Sequence, residues 1–280
     1  MADPVFWLGP LGGLRALPSP SLGGPPEMVP VRFGGLHRSL TGRPTLDRLG
    51  VRRTWTLSWP YLDAELKGWL SLLHNGLVPG PLWLIDPAEP NRLPVQVATA
   101  GGVERAAGGI ATAVGGVAWR QAPLVPPGTP APAGSSALLW VVPSGGGSLS
   151  AVEPVPVLPG ETVTFTASVA ATVAVSLAAF VLDSAGAVRT TVQGTASVPG
   201  SGGTRMSLTV PASDGAAAVR PALARELPGV VTTSAWSITT GTEVPPWTAG
   251  GGAAVVLLDS LPWTYPLPGS FSTTLTLQEV

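Results

Sequence analysis

Two histidines, one lysine and no cysteine set the limits of chemistry in this 280-residue chain. A hydrolytic triad needs a histidine base held between a nucleophile and an orienting carboxylate. His37 stands in Gly34-Gly35-Leu36-His37-Arg38, which reads as a glycine-bounded loop, and no Gly-x-Ser-x-Gly elbow accompanies it. A hydrogen-bonding loop residue is the expectation there. His74 is expected to end a helix. A phosphate-binding loop needs Gly-Lys-Ser/Thr, because the lysine must reach the terminal phosphates; the one lysine, Lys67, is followed by Gly68 and Trp69. Without cysteine there is no thiol nucleophile, thiolate metal site or disulfide, and two separated histidines make no zinc set. Asp183 and Asp214 fall in glycine-containing turns and could offer oxygens to calcium, but no dense acidic loop surrounds either, so both read as turn formers. Glycoside cleavage needs two carboxylates whose separation the fold decides, and none of the eight acids from Ser136 onward is singled out as a pair. The expectation is a protein without cofactor or metal that is not an enzyme.

Aromatic side chains are the remaining candidates. Flat tryptophan and tyrosine faces shed water against the apolar face of a pyranose while polar neighbours fix its hydroxyls. Trp236, Trp247, Trp263 and Tyr265 could form such a glycan platform. Trp263 and Tyr265 are two apart and share a side if extended, and Trp247 follows two prolines near a glycine-rich stretch. The competing reading is that these rings pack in the core or against the first domain, since tryptophan is commonly buried.

Composition narrows the partners. Charged residues make up 11% against 45% hydrophobic, with a net charge of -1, which removes the basic footprint of a nucleic-acid binder. Glycine (36) and proline (32) are abundant, yet ten tryptophans argue for packed cores rather than disorder. The segment from Thr162 to Leu182 carries no charge and approaches the length of a membrane span. Within it Thr162, Thr164, Thr166 and Ser168 alternate with Val163, Phe165, Ala167 and Val169, the period of a strand with one buried face, so no membrane span is expected. The opening MADPVFWLGP lacks a basic segment followed by an apolar one, so synthesis in the cytoplasm without a signal peptide is expected.

The elements that would position these residues are mostly strands. Short strands separated by long loops are expected over the first 50 residues, among them Val5–Leu8 and Val29–Phe33. From Val51 to Trp59 the alternation of Val51, Arg53, Trp55, Leu57 and Trp59 against polar residues marks a strand that Pro60 should end. Asp63 is placed to cap a helix whose apolar face is Leu62, Leu66, Trp69, Leu70 and Leu73. An Asp63–Lys67 pair should support that helix, and Asn75-Gly76 should stop it. Leu82-Trp83-Leu84-Ile85 reads as a strand buried on both faces, Val95–Thr99 as another, and Gly108–Trp119 as a loose hairpin. Five prolines between Pro123 and Pro132 suit a stiff linker. The organisation expected is therefore a domain over 1–122, a linker over 123–135 and a second domain over 136–280. The last has strands at Ala137–Val142, Glu161–Val169, Val173–Leu182, Ala187–Thr195, Arg205–Val210, Val255–Leu258 and Ser272–Val280, spaced as in a jelly-roll sandwich.

Two stretches resemble known families. Trp55-Thr56-Leu57-Ser58-Trp59, continuing through Leu66, Trp69 and Leu73 to Gly80-Pro81-Leu82-Trp83-Leu84-Ile85-Asp86-Pro87, resembles the first domain of minor tail and distal tail proteins of long-tailed bacteriophages of GC-rich hosts. The resemblance covers roughly residues 30 to 100. It implies a mainly β fold, a β-barrel or sandwich with one flanking helix, that forms a homo-oligomeric, hexameric ring continuing the tail tube. The partners so implied are the tail tube, tape-measure and tail-hub proteins, and the implied location is the virion tail tip. Pro159-Gly160-Glu161-Thr162-Val163-Thr164-Phe165, Arg205-Met206-Ser207-Leu208-Thr209-Val210-Pro211 and the closing Leu275-Thr276-Leu277-Gln278-Glu279-Val280 resemble a carbohydrate-binding-module jelly roll, which implies contact with a host-surface glycan. This Ala-, Gly- and Val-rich half departs from such modules in lacking a clear polar and aromatic ligand set, so a purely structural module stays open. Two other readings stay beside the virion one: a glycan-binding adhesin with no ring, and a secreted polysaccharide-active enzyme with an accessory module.

Overall fold

The computed structural model describes residues 5–20, 25–33, 36–38, 41–46, 50–100, 111–121, 136–211 and 213–280. The chain folds as two units, and they are not consecutive. Met1–Pro10, Arg15–Leu84 and Ala254–Val280 form the first; Leu11–Leu14 and Ile85–Ala253 form the second, inserted into it.

In the first unit β1 (Trp7–Gly9) pairs with β2 (Arg15–Ala16). Then come β3 (Glu27–Phe33), β4 (Leu36–Arg38), β5 (Pro44–Leu46) and β6 (Gly50–Leu62), with β3 antiparallel to the first half of β6 and β4 antiparallel to β5. His37 thus lies in a paired strand rather than in a loop. The alternation along β6 turns Trp55, Leu57 and Trp59 into the core. Pro60 does not end β6. Leu62 pairs with Phe271 and Trp59 with Thr273, so Pro60 and Tyr61 bulge opposite Ser272, and β3 has stopped pairing at Thr56. Neither neighbour asks Pro60 for the N–H it lacks.

Helix α1 (Ala64–His74) follows the sequence expectation. The Asp63 carboxylate accepts from Leu66 N at 2.7 Å, Trp69, Leu70 and Leu73 are buried, and Gly76 takes a φ of +65° after the last turn. β7 (Leu82–Ile85) is buried from Trp83 to Ile85, also as expected.

The main segment of the second unit begins at Ile85, the last residue of β7. Val95–Ala98 forms a single helical turn, α2, not a strand. Pro94 precedes it with φ fixed at -53° and accepts from Val97 N and Ala98 N, while Thr99 donates both its amide and its hydroxyl to Val95 O. Four residues, Val95-Gln96-Val97-Ala98, are too few to carry a period able to distinguish these outcomes. β8 (Ala111–Val114) and β9 (Val117–Gln121) are not a hairpin either: the Gly115-Gly116 turn passes the chain from one sheet to the other. A Cβ at either glycine would lie 2.3 Å from a backbone oxygen.

The remaining strands are β10 (Ala137–Val142), β11 (Gly147–Ala151), β12 (Val155–Pro156), β13 (Val163–Ala171), β14 (Ser176–Leu182), β15 (Val188–Gln193), β16 (Gly200–Val210), β17 (Ala218–Arg225) and β18 (Gly229–Thr240). They make a jelly-roll-like β-sandwich with sheet orders β16-β13-β18-β10-β9 and β15-β14-β17-β11-β8, β12 adding to β17. Trp140, Phe165, Leu149, Leu223, Trp236 and Ile238 fill its core. β13 is buried on both faces, not one. Its polar face is covered by the chain after β18, where Thr164 donates to Gly241 O, and Arg205 Nη2 donates to Thr166 Oγ1 (3.2 Å) and Pro245 O (2.8 Å). Burial lowers the Arg205 pKa from its usual value. Among the described residues no helix is long and apolar enough to cross a membrane.

The chain then returns to the first unit as β19 (Ala253–Ser260), β20 (Trp263–Leu267) and β21 (Ser270–Glu279), completing an eight-stranded sheet of order β2-β1-β7-β19-β21-β6-β3 with β20 on β21. Leu275 and Leu277 pair with Leu57 and Trp55, and Glu279 takes Arg53 in a two-pronged ion pair of 2.8 and 3.0 Å. Residues 254–280 therefore do not belong to a domain spanning 136–280. Alternation in a strand reports which face is buried, not which sheet it joins. The expected linker, 123–135, lies outside the described residues.

Candidate functional site

The four aromatic candidates fall in different units. Trp236 and Trp247 belong to the inserted sandwich, and Trp263 and Tyr265 to the first unit. Trp236 is 1% exposed, packs edge-on against Phe165 at 5.5 Å and donates Nε1–H to Thr233 Oγ1 at 2.7 Å. A β-bulge puts it there: Ala235 and Trp236 together oppose Ala167, with Ala235 at φ +52°. No glycan can reach this ring. Trp247 is half-buried against the same core, its Nε1–H donating to Trp236 O at 3.2 Å.

Around Trp236 the inserted unit is held by buried polar side chains. Asn91 Nδ2 donates to Trp236 O and Thr248 O, while its Oδ1 accepts from Leu93 N and Ile238 N, so the whole amide is satisfied. Next to it Arg92 meets Glu161 with two bonds of 2.7 Å and also reaches Pro156 O and Thr240 Oγ1. Glu161 further accepts from Leu158 N and Thr240 Oγ1. Every arm of this network ends on the protein, which makes it a structural clamp. Asp183 likewise accepts from Ala185 N and Ala187 N as a turn former. No cluster of metal-ligating side chains occurs among the described residues.

Trp263 and Tyr265 are placed differently. Both lie on β20, and each meets Phe271 of β21 edge-on, at 6.4 and 5.5 Å. Tyr265 is 68% exposed; Trp263 and Phe271 are half-buried. Over these rings sits the ammonium of Lys67, 4.3 Å from the Phe271 centroid, 5.4 Å from Tyr265 and 5.9 Å from Trp263. The expected Asp63–Lys67 pair is not the arrangement found, because the Asp63 carboxylate caps the helix and the lysine turns to the aromatics. Sequence reasoning missed Phe271 and Lys67 as members of this group. Pro266-Leu267-Pro268-Gly269-Ser270 was the available signal, since a turn there brings Phe271 back beside Tyr265.

No protein-family model matches the chain, and no curated protein matches it in sequence. Solved structures resemble about half of it. The enzymatically active domain of bacteriophage CBA120 tailspike protein 4 shares 11% identity over 54% of this chain and 21% of its own, with a TM-score of 0.43. The CBM22-1 xylan-binding domain of Paenibacillus barcinonensis Xyn10C shares 14% over 56% of this chain and 94% of its own, with a TM-score of 0.35. A carbohydrate-binding module of Cellvibrio mixtus lichenase 5A, in complex with cellotriose, shares 18% over 50% and 98%, with a TM-score of 0.30.

Proposed function

We propose that this chain is a non-catalytic structural protein of a phage tail tip. Its first unit would assemble with copies of itself into a ring continuing the tail tube, while the inserted sandwich serves as a carried module. The observation that carries the assembly reading is the hairpin of β3 and β6. Phe33 pairs with Gly50, so the tip of β3 lies against the start of β6, where β21 no longer pairs. Every residue of β3 is exposed, including Met28, Val29, Val31 and Phe33, and Val51 across from them is 57% exposed. β3 is also the edge of its sheet. A two-stranded ribbon is marginal in water by itself, and an apolar edge strand is a template for further pairing. Such a hairpin is stabilised when another subunit covers it. The resemblance over Trp55–Pro87 to tail-ring proteins names the kind of assembly.

Native mass spectrometry and electron microscopy of the purified chain test this. Closed rings, six-fold in the simplest case, are expected. A protein that stays monomeric at high concentration and inside assembled particles would overturn the reading.

A further inference from the structure

Lys67 is the chain's single lysine, and its ammonium has lost both acids that α1 could offer. Asp63 spends its carboxylate on Leu66 N, and Glu65 pairs with Arg15 at 3.2 Å. Among the described residues Lys67 makes no ion pair. Its charge rests on Phe271, at 4.3 Å, with Tyr265 and Trp263 further off at 5.4 and 5.9 Å; the ring faces attract a cation through their quadrupoles but supply no hydrogen-bond acceptor. An aromatic cluster of this shape with an empty centre would suit a cationic ligand. Here the centre is filled by a tethered cation, and a second positive charge would be repelled.

We infer that this cluster binds an acidic sugar, a uronate-bearing pyranose whose apolar face lies on Tyr265 and whose carboxylate pairs with Lys67. The site needs a ligand that is negative at one edge and apolar over a flat face. Tyr265 stands open at the surface, and an open aromatic ring suits a pyranose better than a side chain or acyl tail that must be engulfed. The near contact of the ammonium is Phe271, at 4.3 Å; it stands 5.4 Å from the Tyr265 centroid, close enough to pair with a carboxylate carried by a ring laid against the tyrosine. Lys67 keeps all three N–H donors for that carboxylate. The inference is independent of ring assembly, because every residue it uses belongs to the first unit of one chain.

The test is calorimetric titration of the full chain with hexameric oligouronates (galacturonate, glucuronate and mannuronate) and with their methyl esters, which keep the ring and lose the charge. At least one acid form is expected to bind at least tenfold more tightly than its ester. Tyr265→Ala should weaken acid and ester alike by tenfold or more with an unchanged Tm. Lys67→Met, which keeps the apolar stem, should bring the acid down to the affinity of the ester, and Lys67→Arg should restore the difference. The bound oligouronate should also protect the single ε-amine from acetylation. Equal affinity for acid and ester, affinity unaffected by Tyr265→Ala, or no binding of any of the three acids would overturn the inference.

Discussion

The guanidinium of Arg92 and the carboxylate of Glu161 meet end to end through two hydrogen bonds of 2.7 Å, with both side chains more than nine-tenths buried. Removing either partner strands the other charge away from water. Glu161→Ala is expected to destabilise the inserted unit by about 3–5 kcal/mol. It also frees Leu158 N and Thr240 Oγ1. Replacing both charges, as Arg92→Met with Glu161→Leu, should recover part of the loss. Urea titration followed by tryptophan fluorescence measures both.

The chain on either side of the insertion is held by backbone bonds that leave no room for side chains. Asp86 N donates to Gly252 O, and Gly252 N to Asn91 O. A Cβ at Gly252 would fall 2.1 Å from Glu89 O, and one at Gly250, where φ is +86°, would fall 2.5 Å from Leu93 O. Gly252→Ala and Gly250→Ala should each cost about 1–3 kcal/mol, visible as a lowered Tm and as faster proteolysis within 85–253.

Substitution sorts the aromatic candidates. Trp236→Ala should cost about 3–5 kcal/mol through the cavity it leaves beneath Phe165. Tyr265→Ala, at the surface, should stay within about 0.5 kcal/mol of the parent. A comparison of the two unfolding curves would show opposite behaviour if Trp236 were the open platform and Tyr265 the core residue.

On β3, Val31→Asp combined with Phe33→Asp should abolish self-association in analytical ultracentrifugation. The Tm of the isolated subunit should hardly move, because neither side chain packs inside it. Retained oligomers would place the interface elsewhere.

Much of the first unit is legible locally. Asp63, the apolar spacing through Leu73 and the Asn75-Gly76 stop specify α1, and the alternation through Trp59 specifies most of β6. What is not legible depends on distant partners. Nothing in Ser272–Glu279 announces that it will pair with β6 rather than with a strand of the sandwich. Nothing in Ala235-Trp236 marks a bulge, since alanine gives none of the warning that glycine would at a positive φ. The i,i+4 spacing pairs Lys67 with its helix neighbour Asp63, while the rings that hold it come from about 200 positions downstream, a separation that helical spacing does not address.

The insertion between β7 and β19 also sets an order of events during synthesis. β6 cannot receive β21 until everything between Leu62 and Ser270 has been translated, which at ordinary ribosomal speeds is a delay of roughly 10–40 s. The sandwich, all but four of whose residues lie within 85–253, can close in that interval. Trp55 and Leu57 must wait, with one flank of their strand unpaired. The nascent first unit is thus the aggregation-prone half of the molecule, and the last strand made is the one that relieves it.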